Sequence, residues 1–140
     1  ELDPAEMEKR NIHLQQKYAE IEEKEVRYEE IHCDDAEYLI VAFGSCARIA
    51  QKAMEEARAE GIKVGLLRPI TLWPFPSKAI AERSRQVKGI LTVELNAGQM
   101  VEDVRLAVEC KVPVEYFGRL GGIVPDPDEV VTALKEKIIK

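Results

Sequence analysis

Four times in this chain a short apolar run is followed by a turn and then by a stretch whose apolar residues recur at helical spacing, and that repetition limits the folds open to it. The runs are 39–43 (Leu-Ile-Val-Ala-Phe), 62–67 (Ile-Lys-Val-Gly-Leu-Leu), 90–95 (Ile-Leu-Thr-Val-Glu-Leu) and 112–117 (Val-Pro-Val-Glu-Tyr-Phe). Runs of this length and continuity read as strands buried on both faces. Ile49, Ala53, Met54 and Ala57 mark one helix face; Ile80, Ala81 and Ser84 a second; Val101, Val104 and Val108 a third; Val130, Val131, Leu134 and Ile138 a fourth. Each helix has one stripe to bury, so the strands must form a largely parallel sheet with right-handed crossovers and helices on both sides. The expected fold class is α/β, a three-layer α/β/α sandwich. A length of 140 residues suits one such domain, and a hydrophobic content of 46% can fill its core.

The flanks read differently. From about Asp3 to Lys24 the sequence is polar and helical, and Met7, Ile12, Leu14, Tyr18 and Ile21 give it only a loose apolar stripe. Residues 1–24 are therefore expected to be a linker helix, either solvated or joining the domain at 25–140 to something upstream. Val26, Tyr28 and Ile31 alternate with polar residues as a half-exposed edge strand does. The last helix opens at Pro125-Asp126-Pro127-Asp128-Glu129, which supplies an N-cap acid, a first-turn proline and carboxylates that complement the helix dipole. The chain begins at Glu1 with no initiator Met, so a fragment of a longer polypeptide is expected.

Composition narrows the partners. A formal net charge of −6 opposes general electrostatic binding to nucleic acid or to an anionic membrane surface. No apolar run approaches the roughly 20 residues needed to cross a bilayer. Cys33, Cys46 and Cys110 match neither paired metal-ligand spacing nor an even disulfide framework, which fits a reducing, cytoplasmic setting. His13 and His32 are isolated from other ligand types, so no metal site is expected.

Chemistry could gather at the turns. Gly44-Ser45-Cys46 joins a strand end to a helix start, where Ser45 would be the N-cap and the backbone N–H groups could hold an anion. Cys46 in that first turn opens a further reading as a thiol of lowered pKa, although no His lies near it in sequence. At 94–100 (Glu-Leu-Asn-Ala-Gly-Gln-Met) another strand becomes a helix, and Glu94, Asn96, Gly98 and Gln99 fall at the carboxyl edge where α/β sheets gather ligands. A carboxylate near the end of a buried strand needs a partner, and Arg68 is the candidate. Around Arg68, Pro69, Trp73, Pro74 and Phe75, prolines interleaved with aromatics make a stiff loop that either presents apolar surface to a partner or folds back on its own core. Gly121 and Gly122 leave the last strand and allow either close backbone approach or a flexible exit. Neither a Walker A sequence nor a G-x-G-x-x-G fingerprint occurs.

Taken in order, G-S, then L-R-P-I-T-L-W-P-F-P, V-E-L-N-A-G-Q-M and G-R-L-G-G closely resemble the second domain of 2-oxoacid:ferredoxin oxidoreductase α subunits, of the 2-oxoglutarate or 2-oxoisovalerate type, over about Lys17 to Lys140. The resemblance implies a transketolase C-terminal-like domain with a five-stranded mixed sheet of order 1-3-2-4-5 and strand 1 antiparallel. That order puts a switch-point crevice between Gly44-Ser45 and the 96–99 turn. The full enzymes of this family use thiamine diphosphate, Mg²⁺, iron–sulfur clusters and coenzyme A to decarboxylate a 2-oxoacid oxidatively and pass electrons to ferredoxin. This chain lacks a G-D-G…N stretch and a C-x-x-C-x-x-C cluster, so none of these cofactors is expected in it and the isolated domain is expected to be inactive. The partners so implied are other domains and subunits of the oxidoreductase, and ferredoxin indirectly. The competing reading is a small binding module whose crevice holds a coenzyme A phosphate or a nucleotide.

Overall fold

A computed structural model describes residues 3–139; residues 1–2 and 140, which begin the expected linker segment and end the expected domain, lie outside the described residues. The elements alternate as the repeats require: α1 (Pro4–Lys24), β1 (Tyr28–Ile31), β2 (Tyr38–Ala42), α2 (Gly44–Ala59), β3 (Val64–Pro69), α3 (Ser77–Arg83), β4 (Ile90–Glu94), α4 (Met100–Val108), β5 (Val114–Gly118) and α5 (Pro127–Leu134), which ends in a π-helical turn (Lys135–Ile139). They form one five-stranded sheet in the order β1-β3-β2-β4-β5. Strand β1 runs antiparallel to β3, and every other pair is parallel. Sheet order and strand direction are those the resemblance implied.

Alternation along the strands divides the core in two. Ile40, Leu66, Leu91 and Val93 meet α2 and α5 on one face. Leu39, Val41, Leu67 and Ile90 meet α3 and α4 on the other. Helix α2 approaches its face closely because its buried stripe is small: Cys46, Ala47, Ala50, Ala53 and Ala57, with Met54 as the one long side chain. These are the three layers that periodicity called for.

One strand departs from the expectation. The run 112–117 has the same apolar look as the others, yet β5 is half-buried throughout because it ends the sheet. Its outer edge is closed in another way. Residues 113 and 119 bond across to β4, since Ile90 N donates to Pro113 O at 2.9 Å and Arg119 N donates to Glu94 O at 3.3 Å, which turns Val114 and Tyr116 outward. Their carbonyls accept from Arg105 at 3.2 Å and Lys137 at 2.8 Å. Cationic side chains on an edge discourage strand pairing with another molecule.

Helix α5 starts where the sequence placed it, with Asp126 at the N-cap, Pro127 in the first turn, and the Glu129 carboxylate accepting from the Asp126 N–H at 3.0 Å. Ile138, expected on its apolar face, lies beyond it in the π-helical turn, half-buried against Gly89. At the amino ends of the strands the turns are closed by ion pairs among their own residues: Glu37 with Lys63 and Lys88, Asp35 with Arg58, and Glu109 with Lys111. Among the described residues no helix is long and apolar enough to cross a membrane.

Candidate functional site

Strands β2 and β4 lie side by side in the sheet, and the chain leaves them in opposite directions, towards β3 and towards β5. The carboxyl ends of β2 and β4 therefore flank the topological switch point, with the 44–46 turn on one side and the 94–99 turn on the other.

The β2 turn differs from its expected form. Gly44 takes φ 57° and is itself the first residue of α2, so the N-cap is Phe43, in extended conformation and without a side-chain cap. Ser45 is thus an exposed first-turn residue rather than the cap. The left-handed glycine swings the chain into the helix one residue early. Cys46 points the other way: it is 3% exposed, and burial, aided by the nearby Glu94 carboxylate, raises its thiol pKa rather than lowering it.

Glu94 is fully buried, and its partner is not Arg68. The carboxylate accepts three backbone N–H groups at the start of α4: Gln99 at 3.2 Å, Met100 at 2.8 Å and Val101 at 2.9 Å. A helix N-terminus leaves these donors free and carries partial positive charge, so the acid caps the helix that follows its own strand. Arg68 is on β3, with β2 between it and β4, and it pairs with its cross-strand neighbour Glu29 at 3.2 Å. The rest of the turn is satisfied internally. Asn96 Oδ1 accepts from Gly98 N at 2.7 Å, Gly98 sits at φ 98°, and the Tyr116 hydroxyl donates to the Asn96 carbonyl. Burial and the Glu94 charge raise the Tyr116 pKa, which keeps that hydroxyl protonated as a donor. An anion at α4 would have to displace the chain's own carboxylate.

The thiols give a direct test. Cys33 is buried near Glu30, and burial first, then that charge, pushes its pKa from 9.0 up to about 11. Below 9.0 the folded and unfolded states both hold this proton. Between 9.0 and about 11 the unfolded state loses it first, so stability falls as pH rises through that window. We expect the urea midpoint to decline there. In iodoacetamide labelling at neutral pH, exposed Cys110 should react first, and Cys33 and Cys46 only as unfolding exposes them. Rapid labelling of Cys46 in the folded chain would restore the reactive-thiol reading.

The proline loop is part core and part surface, residue by residue. Pro69, Pro74 and Pro76 are buried and Phe75 packs on the α3–α4 face of the core, whereas Leu72 and Trp73 stand out at 49% and 55% exposure. Thr71, which sequence reading passed over, organises the bend. Its Oγ1 accepts from Arg27 N at 3.0 Å and donates to Pro74 O at 2.7 Å, while Ile70 N and Thr71 N donate to Arg27 O at 2.9 and 3.1 Å. Trp73 meets Tyr18 of α1 edge to face, with ring centroids 5.8 Å apart.

Gly121 and Gly122 sit on the exposed β5–α5 connection at φ 65° and 81°, with open space where a Cβ would be. They serve the turn rather than a close approach. Around them lie Leu120, Ile123 and Val124, all exposed. Leu95 is exposed after β4; Ile70, Leu72 and Trp73 after β3; and Tyr28 opens β1 opposite Pro69. Apart from Leu106 and the stripe on α1, every exposed large apolar residue among those described therefore lies at the carboxyl edge of the sheet. Sequence reading found the part of this set carried by the proline loop. Leu95, Leu120, Ile123 and Val124 looked like strand or loop residues, and the only signal was their place just past a strand's end.

Comparison with known proteins gives a consistent set of likenesses. The model of a family described as pyruvate:ferredoxin oxidoreductase core domain II matches residues 36–130. The ketoisovalerate oxidoreductase subunit VorB of Methanothermobacter thermautotrophicus is 50% identical over 135 residues, which covers 96% of this chain and 38% of that subunit. The 2-oxoglutarate synthase subunit KorA of Methanothermobacter marburgensis is 33% identical over 101 residues, 72% of this chain and 27% of the subunit. The chain thus spans well under half the length of these curated relatives. Among solved structures, the 2-oxoglutarate:ferredoxin oxidoreductase from Magnetococcus marinus, with 2-oxoglutarate, coenzyme A and succinyl-CoA bound, matches with a TM-score of 0.83 at 25% identity, over 97% of this chain and 24% of that one. A split-gene transketolase, an inactive beta4 tetramer, shares the fold with a TM-score of 0.68 at 22% identity, over 79% of this chain and 40% of that one.

Proposed function

Because the chain belongs to the pyruvate:ferredoxin oxidoreductase core domain II family, we propose that it serves as the second domain of a 2-oxoacid:ferredoxin oxidoreductase subunit, packing on neighbouring domains and subunits rather than carrying the chemistry itself. The observation behind this reading is the gathering of exposed apolar residues at the carboxyl edge, next to a helix that buries none of its own residues. Apolar residues such as Met7, Leu14 and Tyr18 gain nothing while they face water, and a helix in a protein owes most of its stability to packing such a face against another element. On this reading residues 1–24 are the arm, and residues 25–140 the body, that dock together against the rest of the enzyme. The candidate set is the switch-point turns at Gly44-Ser45 and Glu94–Gln99, the Arg68–Phe75 loop, and the Gly121-Gly122 exit.

The described residues offer no ready ligand set for the family's metal cofactors. No group of three His, Cys, Asp or Glu among those described is placed to hold a metal ion, and the acid at the switch point is already engaged by three backbone donors. On this reading thiamine diphosphate, Mg²⁺, the iron–sulfur clusters and coenzyme A belong to other domains or subunits, and ferredoxin is a partner only through them. The substrate we assign is a branched-chain 2-oxoacid of the ketoisovalerate kind. The identity of 50% to VorB, against 33% to KorA, supports that choice. Three free cysteines suit the cytoplasm as its location.

The test is Leu72→Ser combined with Trp73→Ser. Both side chains are half exposed, so the stability of the chain should change by no more than about 0.5–1 kcal/mol. Subunit association and turnover of the assembled oxidoreductase, by contrast, should fall roughly tenfold or more. Unchanged assembly and turnover would remove the loop from the interface. Phe75→Ser is a poorer probe, because that ring also packs on the core.

A further inference from the structure

Between α1 and the 73–79 segment lies a groove of about 670 Å³. Ala19, Glu22 and Glu23 of α1 line one wall at the spacing of a single helix face, and Val26 continues it just past the helix end. Trp73 and Phe75 line the other, and Tyr28 of β1 also borders the groove. Tyr18 braces Trp73 from α1 by the edge-to-face contact. The groove thus joins aromatic surface to two carboxylates.

Those carboxylates stand apart from their neighbours. Glu20 is paired with Lys24 and Glu25 with Arg27, but among the described residues Glu22 and Glu23 have no cation within ion-pair distance. Lys78 is the one cation on the opposite wall, so the lining carries two negative charges against one positive. Aromatic faces attract a cation through their quadrupole, and a guanidinium adds planar stacking and a fork that matches a carboxylate. The apolar lining provided by Ala19, Val26, Pro74 and Phe75 suits hydrophobic flanks.

We propose that this groove seats an arginine side chain carried on an apolar segment of a neighbouring domain or subunit. The inference rests on the assembly reading above and names the chemistry of one contact within it. Trp73 is the chain's only tryptophan, so intrinsic fluorescence reports on the groove without a label.

Titration with acetyl-Leu-Arg-Leu-amide should change Trp73 emission saturably. The same peptide with norleucine in place of arginine should bind roughly tenfold or more weakly, and Glu22→Gln with Glu23→Gln should weaken the arginine peptide by a similar factor. Equal titration by the two peptides, no effect of the double substitution, or no saturable signal up to roughly 10 mM would each overturn the proposal. A second measurement separates this inference from the reading beneath it. With a benzophenone side chain installed at Ser77 in the assembled oxidoreductase, cross-linking should capture a segment that contains arginine. Capture of a segment without one would overturn the arginine assignment and leave the assembly reading intact, whereas no cross-link to any other domain or subunit would overturn both.

Discussion

Replacing Glu94 with alanine is expected to lower the unfolding free energy by about 3–5 kcal/mol, a large part of the stability of a domain this size. The side chain is fully buried, and its carboxylate is the acceptor for three N–H groups at 2.8–3.2 Å. Alanine would leave those donors without a partner, and it would open a void where the carboxylate had been. Glu94→Gln keeps the shape and one carbonyl acceptor but turns an NH₂ group towards a donor, so it should cost less, about 1–2 kcal/mol. Urea unfolding of the three chains measures both steps. Hydrogen exchange adds a local readout, because amides 99–101 should lose protection before the rest of α4. An alanine variant within about 1 kcal/mol of the parent would mean that α4 does not depend on this cap.

Gly65→Val should cost at least about 3 kcal/mol, for a different reason. Gly65 lies buried within β3, and a Cβ there would come within 2.9 Å of the His32 carbonyl oxygen and 3.0 Å of both Cys33 Cα and Cys33 Sγ. Two of those atoms belong to backbone, which cannot rotate aside, so the connection from β1 to β2 would have to lift from the sheet. Gly65→Ala should already cost about 1–3 kcal/mol. Gly61 provides the contrast: at φ 88° with nothing near its Cβ position, its requirement is conformational, and asparagine should be tolerated there far better than alanine. At position 65 asparagine should be no better than alanine. Thermal melts of the alanine and asparagine variants at both positions separate a steric glycine from a conformational one.

How well each feature could be read from sequence depended on whether its cause was local. Alternating apolar runs and helical stripes express burial directly, so β2, β3, β4 and the inner faces of α2 and α4 were legible. Strand β5 was overrated because an edge strand of an α/β sheet can be as apolar as a central one; its place at the end of the sheet is a property of topology. The resemblance supplied the strand order and the direction of β1, neither of which periodicity contains. A Gly-Ser turn fits a serine cap and a left-handed glycine start equally well, so sequence does not separate the two at Ser45. Glu94 was given a charged partner because sequence displays side chains, whereas its true partners are main-chain donors five to seven residues later. A buried acid one turn ahead of a helix is the signal that could have found them. The groove beside Trp73 joins residues about 50 positions apart, and no motif spans that distance.

The ion-paired turns at the amino ends of the strands have a practical consequence. Leu106 apart, the exposed large apolar residues of the body cluster at one pole, while the turns at the other are held by Glu37, Asp35 and Glu109 with their lysine and arginine neighbours. A molecule so polarised has a handle. An affinity tag, fluorophore or short peptide inserted near Gly61, where the turn is open to solvent, would extend away from the edge proposed to dock. On the proposed assembly, the complex could then be captured or watched without disturbing that edge.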